Sequence, residues 1–172
     1  EEGISEEEWK KTTMAMSNGK VVNFFTGSLV IDGQNQPSQS LTLKRGVARF
    51  DLNVDVAGSA AIESLTLRNV AQSGYLFAQG EVAASPADVE RNDVTAHFDT
   101  ALSASTPGVL YVYEQENAGI EVSIEAVIDG QHKVLTKTLE GNLKRNTIYT
   151  VTVRKNDIDI VVKVGIDDWE PG

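Results

Sequence analysis

Apolar and polar side chains alternate with a period of two through most of this chain, and that alternation restricts the fold more than any other feature. In "RFDLNVDV" Phe50, Leu52, Val54 and Val56 point to one side and Asp51, Asn53 and Asp55 to the other, the arrangement of a strand with one dry and one wet face. "GIEVSIEAVIDG" repeats the pattern, with Ile120, Val122, Ile124, Ala126 and Ile128 set against Glu121, Ser123 and Glu125. The run ends in Asp129-Gly130, a dipeptide suited to the positive φ of a tight turn, so "HKVLTKTL" is expected to fold back antiparallel beside it. "YTVTV" places Tyr149, Val151 and Val153 on one face. "DIDIVVKVGI" places Ile158, Ile160, Val162, Val164 and Ile166 opposite Asp157, Asp159 and Lys163, and Asn156-Asp157 supplies a turn between these two runs.

Shorter candidates fill the remainder. "KVVNFFTGSLVIDG" reads as one or two strands, "SLTLKR" as a strand with Leu41 and Leu43 inward, and "ESLTLRNV" as one carrying Leu65 and Leu67. "GVLYVYEQ" is another, with Val109, Tyr111 and Tyr113 or their alternates inward. Only "SEEEWKK" joins a capping serine to good helix formers, and it is too short to stand alone. Strands at this spacing, linked by Gly, Asn, Asp and Pro turns, give an all-β fold: an antiparallel sandwich or barrel rather than a βαβ unit. The small, polar, non-periodic stretch from Ala78 to Asp93 is the best linker candidate. Division there gives β-sandwich domains over 1–88 and 89–172, and one sheet shared by the two halves is the alternative.

The tripeptide Leu-Lys-Arg precedes an alternating run twice, at Leu43–Arg45 and at Leu143–Arg145. We read it as the step where a loop passes into a strand, its cations solubilising and protecting an edge. Arg45 or Arg145 can also tie down a loop carbonyl or carboxylate.

Charge and composition narrow the function. The 172 residues carry 25 acidic and 15 basic side chains, a formal net charge of -10, so most of this surface would repel a phosphate backbone or an anionic bilayer. Nucleic acid is not an expected partner. The absence of cysteine removes disulfides, thiolate metal sites and cysteine nucleophiles together. No apolar run approaches a membrane-spanning length, and "EEGISEEEWKK" is acidic where a secretory signal would be basic and then apolar. His97 and His132 lie far apart with no partner at a metal-binding offset, and each reads as a surface or strand-edge residue. No nucleophile elbow, Walker loop or dinucleotide glycine motif occurs. The carboxylate groups Asp157 and Asp159, and Asp167, Asp168 and Glu170, read as a solvated outer face rather than a calcium site or glycosidase pair. We therefore expect no catalytic residue, no metal, no cofactor and no enzyme activity. Exposed aromatics for a glycan are limited to Trp9 and Trp169 among the tryptophans.

The order of several short motifs resembles one family. "L-K-R-N-x-x-Y-x-V-x-V" from Leu143 to Val153, then "I-V-V-K-V-G-I-D-D-W" to Trp169, is similar to the C-terminal region of the fimbrillin-like proteins, the major, minor and anchor subunits of surface fimbriae in Bacteroidetes. "MAMS" at Met14 to Ser17 resembles the family's "P-M-S" step, with Ala15 in place of proline. "LKRGVARFDLNVDV", "IESLTLRNVAQSGYLF", "LYVYEQEN" and "VSIEAVIDG" follow in the family's order. The resemblance implies two transthyretin-like β-sandwiches, a lipoprotein precursor exported to the outer membrane and cell surface, and assembly with other fimbrial subunits. It implies joints in which a neighbour's C-terminal strand fills an apolar groove, with host protein or glycan as adhesion partners. A surface binding module for glycan or host protein that never polymerises is the competing expectation. Only a short acidic segment precedes Met14, so the N-terminal sandwich is expected either compact or incomplete. Within this frame the strand with Ile158, Ile160, Val162, Val164 and Ile166 inward is the candidate donor, and pairing within its own sandwich is the alternative.

Overall fold

The structure, a computed structural model, describes residues 3–29 and 40–164. A one-turn helix α1 (Glu6–Lys10) comes first, capped by Ser5, whose hydroxyl and backbone exchange hydrogen bonds with Glu8 in a capping box. The strands follow as β1 (Thr13–Ala15), β2 (Phe25–Thr26), β3 (Lys44–Arg45), β4 (Val47–Val54), β5 (Ala60–Ala71), β6 (Ser73–Tyr75), β7 (Arg91–Leu102), β8 (Thr106–Tyr113), β9 (Glu121–Ile128), β10 (Gln131–Thr138), β11 (Thr147–Val153) and β12 (Ile158–Val164). No helix among the described residues is long and apolar enough to cross a membrane.

Two four-stranded sheets, in the orders β10-β9-β5-β7 and β12-β11-β4-β8, pack face to face. Their inner faces are the alternating apolar rows of the sequence: Ile120, Val122, Ile124, Ala126 and Ile128, Phe50 and Leu52, and Tyr149, Val151 and Val153 are all buried. The hairpin at Asp129-Gly130 forms with both residues at positive φ, 50° and 77°, and Gln131 returns opposite Ile128, as a two-residue primed turn requires. On β8 the alternates face the core, Leu110 and Val112, while Tyr113 is buried elsewhere.

One ladder departs from the expected antiparallel pairing. β4 and β11 run parallel, with Ile148 opposite Arg49, Tyr149 opposite Phe50 and Val153 opposite Val54. They lie about a hundred residues apart, and the chain crosses to the other sheet and back between them, so both begin at the same end. The end of the second Leu-Lys-Arg-Asn step therefore lies beside the start of β4, where Asn146 N–H donates to the Val47 carbonyl at 3.0 Å. Within the sandwich the Phe50 and Tyr149 rings stack with centroids 5.1 Å apart.

The division expected at residue 88 falls inside this sandwich. β4 and β5 precede it in sequence and occupy inner positions in the two sheets, bonded to β8, β11, β7 and β9 from the other side of it. The sheets are thus shared by the halves. Among the described residues ahead of Val47, the only buried one is Gly46. Short ladders take the place of an N-terminal sandwich there: β1 pairs with β6 and β2 with β3. Leu41 and Leu43, expected inward, are 48% and 51% exposed, because a two-residue ladder presents no second layer to cover them.

Interleaving has a thermodynamic consequence. Leu67→Ala, before residue 88, and Ile124→Ala, after it, are each expected to lower one and the same unfolding transition by about 2–5 kcal/mol, read by urea titration. Two transitions, each sensitive to only one substitution, would contradict the shared core.

Candidate functional site

The strand singled out by sequence is an edge strand. β12 pairs antiparallel with β11, from Ile158 opposite Val153 to Val164 opposite Thr147, and among the described residues no strand lies on its other side. Ile158 is 3% exposed, Ile160 packs against the core from partial exposure, and Val162 is 47% exposed. Cover over the inward row thus fades along the strand. Ile166 lies outside the described residues, with Asp167, Asp168, Trp169 and Glu170.

Across the sandwich opening, β12 faces the edge strand β10. Leu135 of β10 is buried, and Lys133 and Lys137 flank it on the same inward side. A lysine stem there covers apolar surface while its ammonium reaches outward. Lys137 Nζ donates to Asp159 Oδ1 at 2.6 Å, and Lys133 Nζ donates to the Lys155 carbonyl and to Asn156 Oδ1, each at 2.8 Å. From the opposite direction Lys155 Nζ meets Asp129 Oδ2 at 2.7 Å. The hydrogen bond and charge of Lys137 hold the Asp159 carboxyl below its usual range, with Arg154 adding to the effect. Lys155, followed by the Ser59 N–H, does the same for Asp129. Of the carboxylate pair Asp157 and Asp159, the second is therefore engaged in an ion pair. His97 and His132 sit exposed on the edge strands β7 and β10.

A second feature is built by the Leu-Lys-Arg-Asn-x-x-Tyr motif at the other end of β11. Leu143 is fully buried, Asn146 takes a φ of 55°, and Tyr149 is 1% exposed. The Tyr149 hydroxyl accepts from Lys144 N–H at 2.9 Å and donates to the Asn142 carbonyl at 3.1 Å, pinning the loop to the strand it feeds. Burial pushes the Tyr149 phenol up, so it stays protonated and able to donate. Arg145 is the tying arginine anticipated from sequence: its side chain is 9% exposed and lies beside Glu114 at 12%. Its Nε donates to Glu114 Oε1 at 3.0 Å, Nη1 to the Leu76 carbonyl at 3.1 Å and to Thr26 Oγ1 at 3.4 Å, and Nη2 to the Tyr75 carbonyl at 3.0 Å.

Tyr113 completes the attachment of the N-terminal residues. Its hydroxyl accepts from Val22 N–H at 2.9 Å and donates to the Ala15 carbonyl at 3.3 Å. β6 passes against this ring at Gly74, where an added Cβ would lie 2.5 Å from Tyr113 Cβ, closer than any side chain tolerates. Sequence reading offered Tyr113 only as one alternative for the inward face of its strand; the structure buries it against Phe24 of the N-terminal residues and Gly74 of β6. The strip it holds leaves Val22, Phe25, Leu29, Leu41 and Leu43 each between 42% and 53% exposed.

Known proteins share this architecture. A family described as a bacterial Ig-like domain matches residues 79–163, which contain β7 to β12 but not β4 or β5. No curated protein matches the chain by sequence. Among solved structures, a candidate cell adhesion protein from Bacteroides eggerthii superposes with a TM-score of 0.59 at 13% identity, over 94% of this chain and 71% of that one. One from Parabacteroides distasonis gives 0.52 at 18% identity, over 72% of this chain and 52% of that one. One from Bacteroides uniformis gives 0.50 at 14% identity, over 75% and 53%. The chain spans about half the length of the latter two. At these identities the likeness establishes a common fold: this chain has the fold of candidate adhesion proteins from Bacteroidetes.

Arg145→Lys removes the planar fork that reaches four acceptors and is expected to cost about 2–4 kcal/mol. Limited proteolysis should then cut between residues 12 and 29 faster than in the parent chain. Unchanged stability and cleavage would show that the N-terminal strip is held without it.

Proposed function

We propose that this chain is a structural, adhesive subunit of a bacterial surface fimbria, joined to neighbouring subunits by exchange of a β-strand, with the Ile158–Val164 strand as donor. The observation that carries this reading is the condition of β12. Among the described residues it is an edge strand near the C-terminal end, and exposure along its inward row rises from 3% at Ile158 to 47% at Val162. Such a strand exposes unpaired backbone groups beside apolar side chains, and an alternating segment suits addition to another sheet, where backbone bonding gives affinity and alternate side chains give register. The adhesion proteins that share the fold support the class of function. The motif order that resembles the fimbrillin-like proteins supports the subunit role, with residues Ile158, Ile160, Val162, Val164 and Ile166 as the donated row.

In this reading the partners are other fimbrial subunits, alike or different, and the location is the cell surface after export. The half-exposed apolar side chains Val22, Phe25, Leu29, Leu41 and Leu43 are the receiving surface that such a joint requires. Covering apolar side chains of this size contributes roughly 1.5–3 kcal/mol each before ordering costs, so a handful make a durable joint.

Replacing Ile160 and Val162 together with aspartate is expected to abolish ordered multimers in electron micrographs while near-UV circular dichroism still reports a folded monomer. Multimers of parental length, or a variant that fails to fold, would overturn the donor assignment in favour of a strand that serves only its own sandwich.

A further inference from the structure

We propose that the lysine contacts between the β9–β10 hairpin and β12 form an ionic latch that sets how readily β12 leaves its sheet. The proposal rests on the reading of β12 as an exchangeable strand for its biological purpose, but its geometry stands apart from that reading.

Three observations lead to it. First, among the described residues β12 has one ladder where β11, β4, β9 and β5 have two, and its described apolar anchorage is concentrated at Ile158 and Ile160. Opening over Val161 and Val162, 52% and 47% exposed, therefore uncovers little apolar surface, and the backbone groups released exchange protein partners for water at small net cost. Second, a restraint comes from the other sheet. Lys137 of β10 reaches Asp159 within β12 itself, and Lys133 grips the Lys155 carbonyl and Asn156 in the turn that leads into it. Lys155 closes the set by pairing with Asp129 in the β9–β10 turn. Third, these contacts sit at the edge where β10 carries the inward-side lysines Lys133 and Lys137, so the cations that cover the sandwich opening also hold the strand.

The charged groups facing Asp159 are Lys137 from β10 and Arg154 from the β11–β12 turn, and those facing Asp129 are Lys155 and Lys133. Both carboxyls are held below their usual range, first by the lysine hydrogen bonds, then by the Ile160 N–H for Asp159 and the Ser59 N–H for Asp129, and by the charge of the cations. Their contribution is therefore complete above the ordinary carboxyl pKa of about 4 and is lost as pH falls through the lowered folded values. Salt acts in the same direction at neutral pH, since raising ionic strength to 1 M shortens the screening length from about 8 Å to about 3 Å. Acid or salt should thus free β12 before either disturbs the buried ladders of β4 and β5.

Hydrogen exchange on the full chain tests this. Lys137→Met combined with Lys155→Met keeps unbranched stems of similar length and removes the charges. Amides of Ile158–Val164 should then exchange about five- to tenfold faster at neutral pH and low salt, while those of β4 and β5 keep their parental rates. The parent chain at 1 M salt should approach the variant. Unchanged exchange in β12, or an equal rise in β4 and β5, would overturn the latch. Multimer formation, followed separately, distinguishes the two ideas. Faster opening without multimers removes strand donation and leaves the latch, whereas parental assembly with β12 protection unchanged removes the latch and leaves donation.

Discussion

The sandwich depends on the parallel pairing of β4 with β11. These strands lie inside the same sheet and supply Phe50, Leu52, Tyr149, Val151 and Val153, all buried, to the shared core. Their register is fixed from both ends of the motif that introduces β11. Tyr149 stacks on Phe50 within the layer, and its hydroxyl reaches back to the loop that Leu143 anchors in the core. Asn146 turns the chain at positive φ and donates its N–H to Val47. A slip of one residue would turn every one of these side chains outward, so a few local contacts at the loop enforce a pairing between segments distant in sequence.

The same corner explains why the N-terminal residues stay attached without a core of their own. Among the described residues ahead of Val47 only Gly46 is buried, so apolar contacts such as Met16 against the core, Phe24 against Tyr113 and Trp9 against Phe77 are only part of what holds them. Directed polar contacts add to these. Arg145 spans Glu114, Thr26, Tyr75 and Leu76, and Tyr113 joins Val22 to Ala15. An arginine this enclosed is stable only because a carboxylate and several carbonyls meet it. Segments held in this way can be well placed and still present apolar side chains to solvent, as Phe25 and Leu43 do.

Period-two alternation made the strands legible because each central strand has one face on a common core. Ile120 through Ile128, and Tyr149 through Val153, sit as their spacing implies. The Asp-Gly hairpin was legible for a local reason, the φ values that its two residues adopt. Pairing over long separation was not. Nothing in "LKRGVARF" and "LKRNTIYT" states that they lie side by side, since a parallel ladder needs no turn between its strands. The boundary near residue 88 misled because a polar, proline-bearing stretch marks a long connection equally well whether it leaves a domain or, as here, returns the chain from β6 to pair β7 with β5 in one sheet. Leu41 and Leu43 misled because alternation records that a residue is apolar and not whether anything covers it. Of the candidate site, the inward row of β12 was visible in sequence, but the lysines that hold it belong to another hairpin and became visible only in three dimensions.

An edge strand in a sandwich faces two opposed requirements. It must be retained well enough for the core beneath it to stay dry, and an unprotected edge invites unwanted pairing with other chains. Apolar burial answers the first demand but responds little to pH or to the screening of charge by salt. Charge answers it conditionally. In this chain Ile158 seals the core at the start of β12, while Lys137 and Lys133 hold the strand and its turn through partners on β12 and the loop before it. Because those cations lie on the inward side of β10, they also place charge at the edge, where a stray strand would have to desolvate it. One set of side chains therefore serves retention and protection together, and the acidic net charge of the chain leaves such lysines few competitors for the carboxylates nearby.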